Sequence, residues 1–265
     1  MRFIEIDHTE VHYEDIGAGP GVVLVHGWGT SARAWNAQLA GLVDDHRVIA
    51  LDARGCGRSG HPALGNTIAR NAQDLLDLCA ALELDVPVLV GSSIGATYAI
   101  EAALIDPEAI GGVVAIDGPA HWPAQGMTDR LHGLRHALVR DRAGTLAQWV
   151  PNWFGPAIGD DMRASTIRQI LESGTHIDAL LDEHARYDPR PALPGLAVPA
   201  AFVHGRLDAE IPLAVARECA ALVPGAELIV IEDAGHMAHQ EQPLAVNAAL
   251  RRFVATTSQA RHAVR

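Results

Sequence analysis

Apolar and polar positions follow two periods along this chain, and the order in which those periods occur predicts its architecture. Residues 3–6 and 10–13 alternate every second position and read as an antiparallel hairpin at a sheet edge. Residues 22–25, Val-Val-Leu-Val, form a continuous apolar run of the kind expected for a strand covered on both faces. Residues 32–43 then switch to a helical period, with Trp35, Leu39 and Leu42 on one side. The alternation continues with a strand at 48–51 ending at Asp52, a helix at 69–82 and a strand at 86–90. A helix at 93–105 and a strand at 113–116 ending at Asp117 follow. It resumes late in the chain, with a strand at 200–203, a helix at 213–222, a strand at 228–231 and a helix at 243–254. Strands alternating with helices predict an α/β domain: a mostly parallel central sheet with helices on both faces. The tail beyond Thr256 is expected to fray.

Between residues 119 and 190 the alternation breaks. This stretch has short helical patterns, aromatics and histidines, and no strand-like run. It is expected to form a helical cap (119–190) inserted into a core made of residues 1–118 and 191–265. At 265 residues the chain is long enough for one large domain of this kind. Trp122, Trp149, Trp153 and Phe154 all fall in the insertion, where apolar rings suit either a lid over a pocket or an anchor to the core.

The strongest chemical signal is Gly91-Ser92-Ser93-Ile94-Gly95, placed where a strand gives way to a helix. A G-x-S-x-G turn in that setting lifts the middle serine out of the sheet, and its glycines permit the close passage of strand and helix. Downstream stand Asp208, in Val-His-Gly-Arg-Leu-Asp, and His236, in Asp-Ala-Gly-His.

Composition narrows the field. A net charge of −12 argues against nucleic acid or an anionic membrane as partner. The chain contains no lysine, which removes Schiff-base chemistry, pyridoxal phosphate attachment and a P-loop lysine together. Cys56, Cys79 and Cys219 show no CxxC or zinc-like spacing and read as reduced thiols. No cofactor or metal is implied. No apolar stretch approaches the roughly 20 residues of a membrane span, and Glu5 and Asp7 interrupt any signal-peptide core, so a cytoplasmic location is expected. The oligomeric state is not set by these features.

With these residues placed, the chain resembles the α/β-hydrolase superfamily, nearest its small capped esterase, lactonase and haloperoxidase-like branch. The resemblance rests on residues 23–31 (VLVHGWGTS), 51–60 (LDARGCGRSG), 91–95 (GSSIG) and the VHGRLD and AGH pair. Ser, Asp, His is also the chain order expected of that superfamily's triad. Two departures, Ser92 where relatives often carry His or Trp and Ala96 in place of a frequent glycine, leave the elbow intact. Branches that hydrolyse epoxides or carbon–halogen bonds place Asp where this chain has Ser93, which argues against both chemistries.

The resemblance implies a nucleophile at Ser93, a general base at His236 and an acid at Asp208. Asp117 is the competitor for the acid, and His239 the nearest rival to His236. Asp52 belongs to a turn expected to hold loops together. The oxyanion hole is expected from the backbone N–H groups of Ile94 and Trp28, with Gly27 letting the loop approach. Gly27, Trp28, Trp122, Trp149 and Trp153 are the candidate substrate-binding residues. His121, His132, Arg135 and His136 suit either a carboxylate site or a solvated helix face. The implied activity is hydrolysis of a small, largely apolar ester or lactone. The alternatives are a cofactor-free oxygenase or carbon–carbon bond hydrolase, and a non-catalytic ligand-binding protein.

Overall fold

The structure, a computed structural model, describes residues 2–119 and 125–262, side chains excepted at 125–127 and 260–262. Eight strands form one sheet: β1 (Arg2–Ile6), β2 (Thr9–Ile16), β3 (Gly21–Val25), β4 (Arg47–Leu51), β5 (Val88–Ser92), β6 (Gly112–Ile116), β7 (Ala200–Gly205) and β8 (Glu227–Ile231). Their order is β1-β2-β4-β3-β5-β6-β7-β8. The first hairpin pairs antiparallel with itself and with β4, and every later pairing is parallel. Helices α1 (Asn36–Leu42), α2 (Ile68–Ala81) and α3 (Ile94–Ile105) occupy the first half of the chain.

The apolar runs of the parallel strands divide residue by residue between two cores, because successive side chains on a strand point to opposite faces. Val23, Val25, Ile49, Leu51 and Leu89 join one apolar cluster with residues of α2 and α3. Val22, Leu24, Val48, Ala50 and Val90 join the other, with Trp35, Leu39 and Leu42. Helix α3 is apolar around most of its circumference and almost wholly buried, as fits a helix covered on several sides.

Between the adjacent strands β6 and β7 the chain leaves the sheet for α4 (Gln125–Arg140), α5 (Arg142–Trp149), α6 (Asp160–Glu172) and α7 (Ala179–His184). Leu131, Leu146, Trp153, Ile170, Ile177 and Leu181 from this stretch join the same cluster as α2 and α3. After β7 come α8 (Leu213–Leu222), the short α9 (Ala238–Glu241) and α10 (Pro243–His262).

Three local expectations shift. The predicted helix at 32–43 begins as a single 3-10 turn, Ala32–Trp35, before α1. Strand β5 begins at Val88, because Val86 has φ +46° and Pro87 has no N–H for a ladder. The C-terminal helix continues beyond Thr256 to His262. Phe253 and Val254 are buried, and Thr257 is buried with its hydroxyl on the Val254 carbonyl, so the next turns have a packed base. Among the described residues no helix is long and apolar enough to cross a membrane.

Strand order reverses on either side of β3, since β4 lies to one side and β5 to the other. The carboxyl ends of two neighbouring strands diverge at such a switch point and leave a crevice where open α/β sheets bind ligands. The loops after β3 and β5 carry Gly27–Thr30 and Ser93 to that place.

Candidate active site

Ser93 sits between β5 and α3 with φ +55° and ψ −120°, a conformation that a side-chain-bearing residue holds only under constraint. Its neighbours supply the constraint. A Cβ on Gly91 would lie 2.1 Å from the Gly95 carbonyl oxygen, and one on Gly95 would lie 2.4 Å from that of Val25. Ser93 N–H donates to Ile116 O of β6 at 2.8 Å, tying the turn to the sheet.

Ser93 Oγ lies 3.0 Å from His236 Nε2, and His236 Nδ1 lies 2.8 Å from Asp208 Oδ2. A carboxylate only accepts, so Nδ1 carries the hydrogen and Nε2 of the neutral ring is left to receive the serine proton. Asp208 Oδ1 accepts from the N–H groups of Glu210 and Ile211, at 2.8 and 3.0 Å. Burial opposes charge on both groups. The Asp208 carboxylate outweighs it at His236, whose pKa rises to about 9. At Asp208 the effect of His236 and His204 prevails, and the carboxyl is held far below its ordinary range.

Asp117, the competing acid, hydrogen-bonds elsewhere. Its Oδ1 accepts from Gly205 N–H at 2.8 Å and its Oδ2 from Ala238 N–H at 2.9 Å, while burial raises its pKa to about 6. Asp52 likewise accepts from Ala32 and Arg58 N–H and lies 3.0 Å from His12, at a junction of loops. His239 is fully buried against Trp35, with ring centroids 4.3 Å apart. Among the described residues, Asp117, His204 and Asp208 form the one group whose geometry could suit a metal. In that group His204 Nε2–H donates to Ile211 O at 2.8 Å, both carboxylates accept backbone N–H groups, and His204 Nδ1 has no partner among the described residues. The three cysteines are free and buried, and burial pushes each thiol up to about 12.

The loop after β3 comes close to the elbow: a Cβ on Gly27 would stand 3.4 Å from Ser93 Cβ. The Gly27 carbonyl accepts from His26 Nδ1–H at 2.7 Å, Thr30 Oγ1–H at 3.1 Å and Thr30 N–H at 3.3 Å. His26 Nε2 in turn accepts from Ala53 N–H at 2.9 Å, which fixes the ring as a neutral tautomer. In a trans peptide the N–H points opposite to the C=O. Anchoring Gly27 O therefore turns Trp28 N–H the other way.

Above Ser93 lies a pocket lined by Gly27, Trp28, Ser93, Ile94, Trp149, Trp153 and His236 among others. Trp28 and Trp149 stand 5.5 Å apart between centroids, and Trp149 meets Trp153 edge-on at 4.9 Å. These rings both pack and line the cavity. Trp122 and His121 lie outside the described residues. Arg135 forms an ion pair with Asp182, and His132 lies 4.0 Å from the same carboxylate. Neither residue lines the pocket.

Other pocket residues were hidden from sequence reasoning: Leu131, Leu181, His184, Glu210, Ile211 and Met237. Glu241, also unforeseen, binds the histidine loop through Gly235 N–H at 3.0 Å and Met237 N–H at 3.2 Å. Its other oxygen accepts from Gly155 N–H of the insertion at 2.7 Å. His236 N–H donates to Trp153 O at 2.7 Å. The nearest sequence signal is the placement of Glu210 and Glu241 within five residues of Asp208 and His236.

Residues 22–249 match the model of the alpha/beta hydrolase family. A 2-hydroxy-6-oxononadienedioate/2-hydroxy-6-oxononatrienedioate hydrolase of Paraburkholderia xenovorans is 28% identical, over 88% of this chain and 86% of that protein. A pimeloyl-[acyl-carrier protein] methyl ester esterase of Vibrio campbellii is 25% identical, over 93% and 99%. Among solved structures, a thermophilic esterase from Thermogutta terrifontis superposes with a TM-score of 0.86 at 28% identity, covering 94% of each chain.

Proposed function

The chain belongs to the α/β-hydrolase family, and on that footing we propose that it is a serine hydrolase cleaving a small, largely apolar carboxylic ester or lactone. The observation that carries this reading is the continuous run of hydrogen-bonding contacts Ser93–His236–Asp208 beneath an aromatic pocket. Ser93 Oγ attacks the carbonyl carbon while its proton passes to His236 Nε2. Asp208 holds the ring in the receptive tautomer and offsets the imidazolium charge. The oxyanion is met by the N–H groups of Ile94 and Trp28, the latter aimed by the anchored Gly27 carbonyl. The tetrahedral intermediate collapses, the C–O bond breaks, and the departing alkoxide takes the proton from His236. Water, deprotonated by the same nitrogen, then hydrolyses the acyl-enzyme and releases the acid. Residues 119–190 act as the cap, placing Trp149 and Trp153 over the acyl or alcohol chain.

The second reading, carbon–carbon bond hydrolysis, draws support from the Paraburkholderia relative, whose named substrates are dicarboxylates. Among the described residues lining the pocket there is no arginine to receive a carboxylate, so the ester reading is preferred. Labelling by a fluorophosphonate, with turnover measured on esters, lactones and vinylogous diketones, tests the choice. Ester or lactone turnover that tracks labelling of Ser93 supports the proposal. Turnover confined to diketones selects the second reading, and tight binding without any turnover indicates a binding protein.

The elevated pKa of His236 sets an expected pH profile. The base form is needed for attack, so kcat/KM on an uncharged ester should rise with pH. The limb should stand above 6.5 and approach about 9. A limb at or below 6.5 would show that Asp208 does not act on the ring.

Replacing Trp149 or Trp153 by Ala should alter the preference among acyl chain lengths and change acetate ester turnover far less, because a short chain does not reach the cap. Equal losses on short and long esters would make both rings structural.

A further inference from the structure

Walls of the cavity above Ser93 are mostly apolar, and outside the Ser93–His236–Asp208 chain few side chains carry polar atoms into it. Thr30 spends its hydroxyl hydrogen on the Gly27 carbonyl. Glu210 accepts from Trp149 Nε1–H at 2.8 Å on one oxygen and from Arg130 at 2.9 Å on the other. Trp153 Nε1–H is a donor without a partner among the described residues, and His184 offers the matching acceptor. The histidine comes from the end of α7 and is 3% exposed, and its Nδ1 lies 2.9 Å from the Leu180 carbonyl oxygen. A carbonyl cannot donate, so Nδ1 carries the hydrogen and Nε2 is a bare acceptor. Burial brings the pKa down to about 4, which keeps the ring neutral. Among the described residues Nε2 has no hydrogen-bond partner and almost no accessible surface, so a donor reaches it by displacing the apolar atoms that cover it.

We infer, resting on the reading of the chain as an ester or lactone hydrolase, that His184 is a specificity determinant. Its Nε2 accepts a hydrogen bond from a hydroxyl or amide N–H on the part of the substrate remote from the scissile carbonyl. Among the described residues the pocket offers an acceptor and no unpaired cation, which selects uncharged substrates bearing a donor. A carboxylate is disfavoured because it brings no donor to Nε2. The discrimination is amplified by burial: a hydroxyl taken from water into this wall loses its solvent partners and regains one only at His184.

The test is a panel of butyrate-sized esters, each with one hydroxyl at a successive position of the acyl or alcohol chain and each compared with its deoxy partner. In the wild type at least one position should give a hydroxy-to-deoxy ratio of kcat/KM of about tenfold or more. His184→Leu should bring that ratio close to one. His184→Gln, whose amide oxygen still accepts, should retain part of it and guards against a fold defect in the first variant. A matched ω-carboxy ester should be the poorest of its set. The inference is overturned if no position shows the preference, if the ratio survives in His184→Leu, or if the carboxylate is preferred. Esters cleaved without any hydroxyl preference would sink this inference and leave the hydrolase reading intact. Absence of ester and lactone turnover altogether would sink both.

Discussion

Ser93→Ala is expected to lower ester turnover by at least about 10⁴-fold, while the protein unfolds at nearly the denaturant concentration of the wild type. The magnitude follows from the loss of the atom that forms the acyl bond. In a serine protease the same deletion leaves only the residual catalysis of the oxyanion hole and binding. Stability should change by less than about 1 kcal/mol. The Ser93 hydroxyl lies against His236 Nε2, and Ala accepts the same strained backbone at no greater cost than Ser. Steady-state kinetics with a denaturation curve on the same preparation make the measurement. Retention of more than about a tenth of the activity, worth only ~1.4 kcal/mol of barrier, would mean that another group attacks.

Asp208→Asn and Asp117→Asn should fail in different ways. At Asp208 the introduced amide keeps its oxygen toward the N–H groups of Glu210 and Ile211 and turns its NH₂ toward His236. The ring then has to accept at Nδ1 and carry its hydrogen on Nε2, where it cannot take a proton from serine. That tautomer error is worth roughly 10⁴-fold in a serine protease. Asp117 receives a backbone N–H on each oxygen, so an NH₂ there opposes one of them. A loss of about 1–3 kcal/mol of stability is expected, with activity of the folded fraction little changed. If Asp117→Asn proves the more damaging to turnover, the acid belongs at the end of β6.

The core was legible because parallel strands buried on both faces leave continuous apolar runs. Residues 22–25 and 48–51 could hardly be read otherwise, and the elbow carries its own glycine spacing. Ser93, His236 and Asp208 come together as the three motifs suggested. Precision was lost where a local backbone state overrode the pattern, as at Val86 and Pro87, where the apolar run continues but the ladder does not. The pocket walls were the least visible. Helices α4, α5 and α7 carry their apolar residues to the cavity through tertiary packing, which no local period encodes. His184 is one of 14 histidines, and its Leu180 contact and its place in the cavity wall are not encoded by any local pattern. Arg135 and His132 looked like candidates for an anion from composition, and an acid on a neighbouring helix, Asp182, occupies them instead.

His236 takes its backbone register from Trp153, and a single carboxylate, Glu241, holds Gly235, Met237 and Gly155 at once. The insertion is therefore not an interchangeable part. A chimera that imports a foreign insertion for new selectivity has to preserve the turn at 153–155 and its match to Glu241. Otherwise the imported walls arrive with a histidine that no longer stands over its serine. Changes of selectivity in this chain are accordingly expected to be easiest within α4 and α7, whose Leu131, Leu181 and His184 reach the cavity without holding the histidine loop.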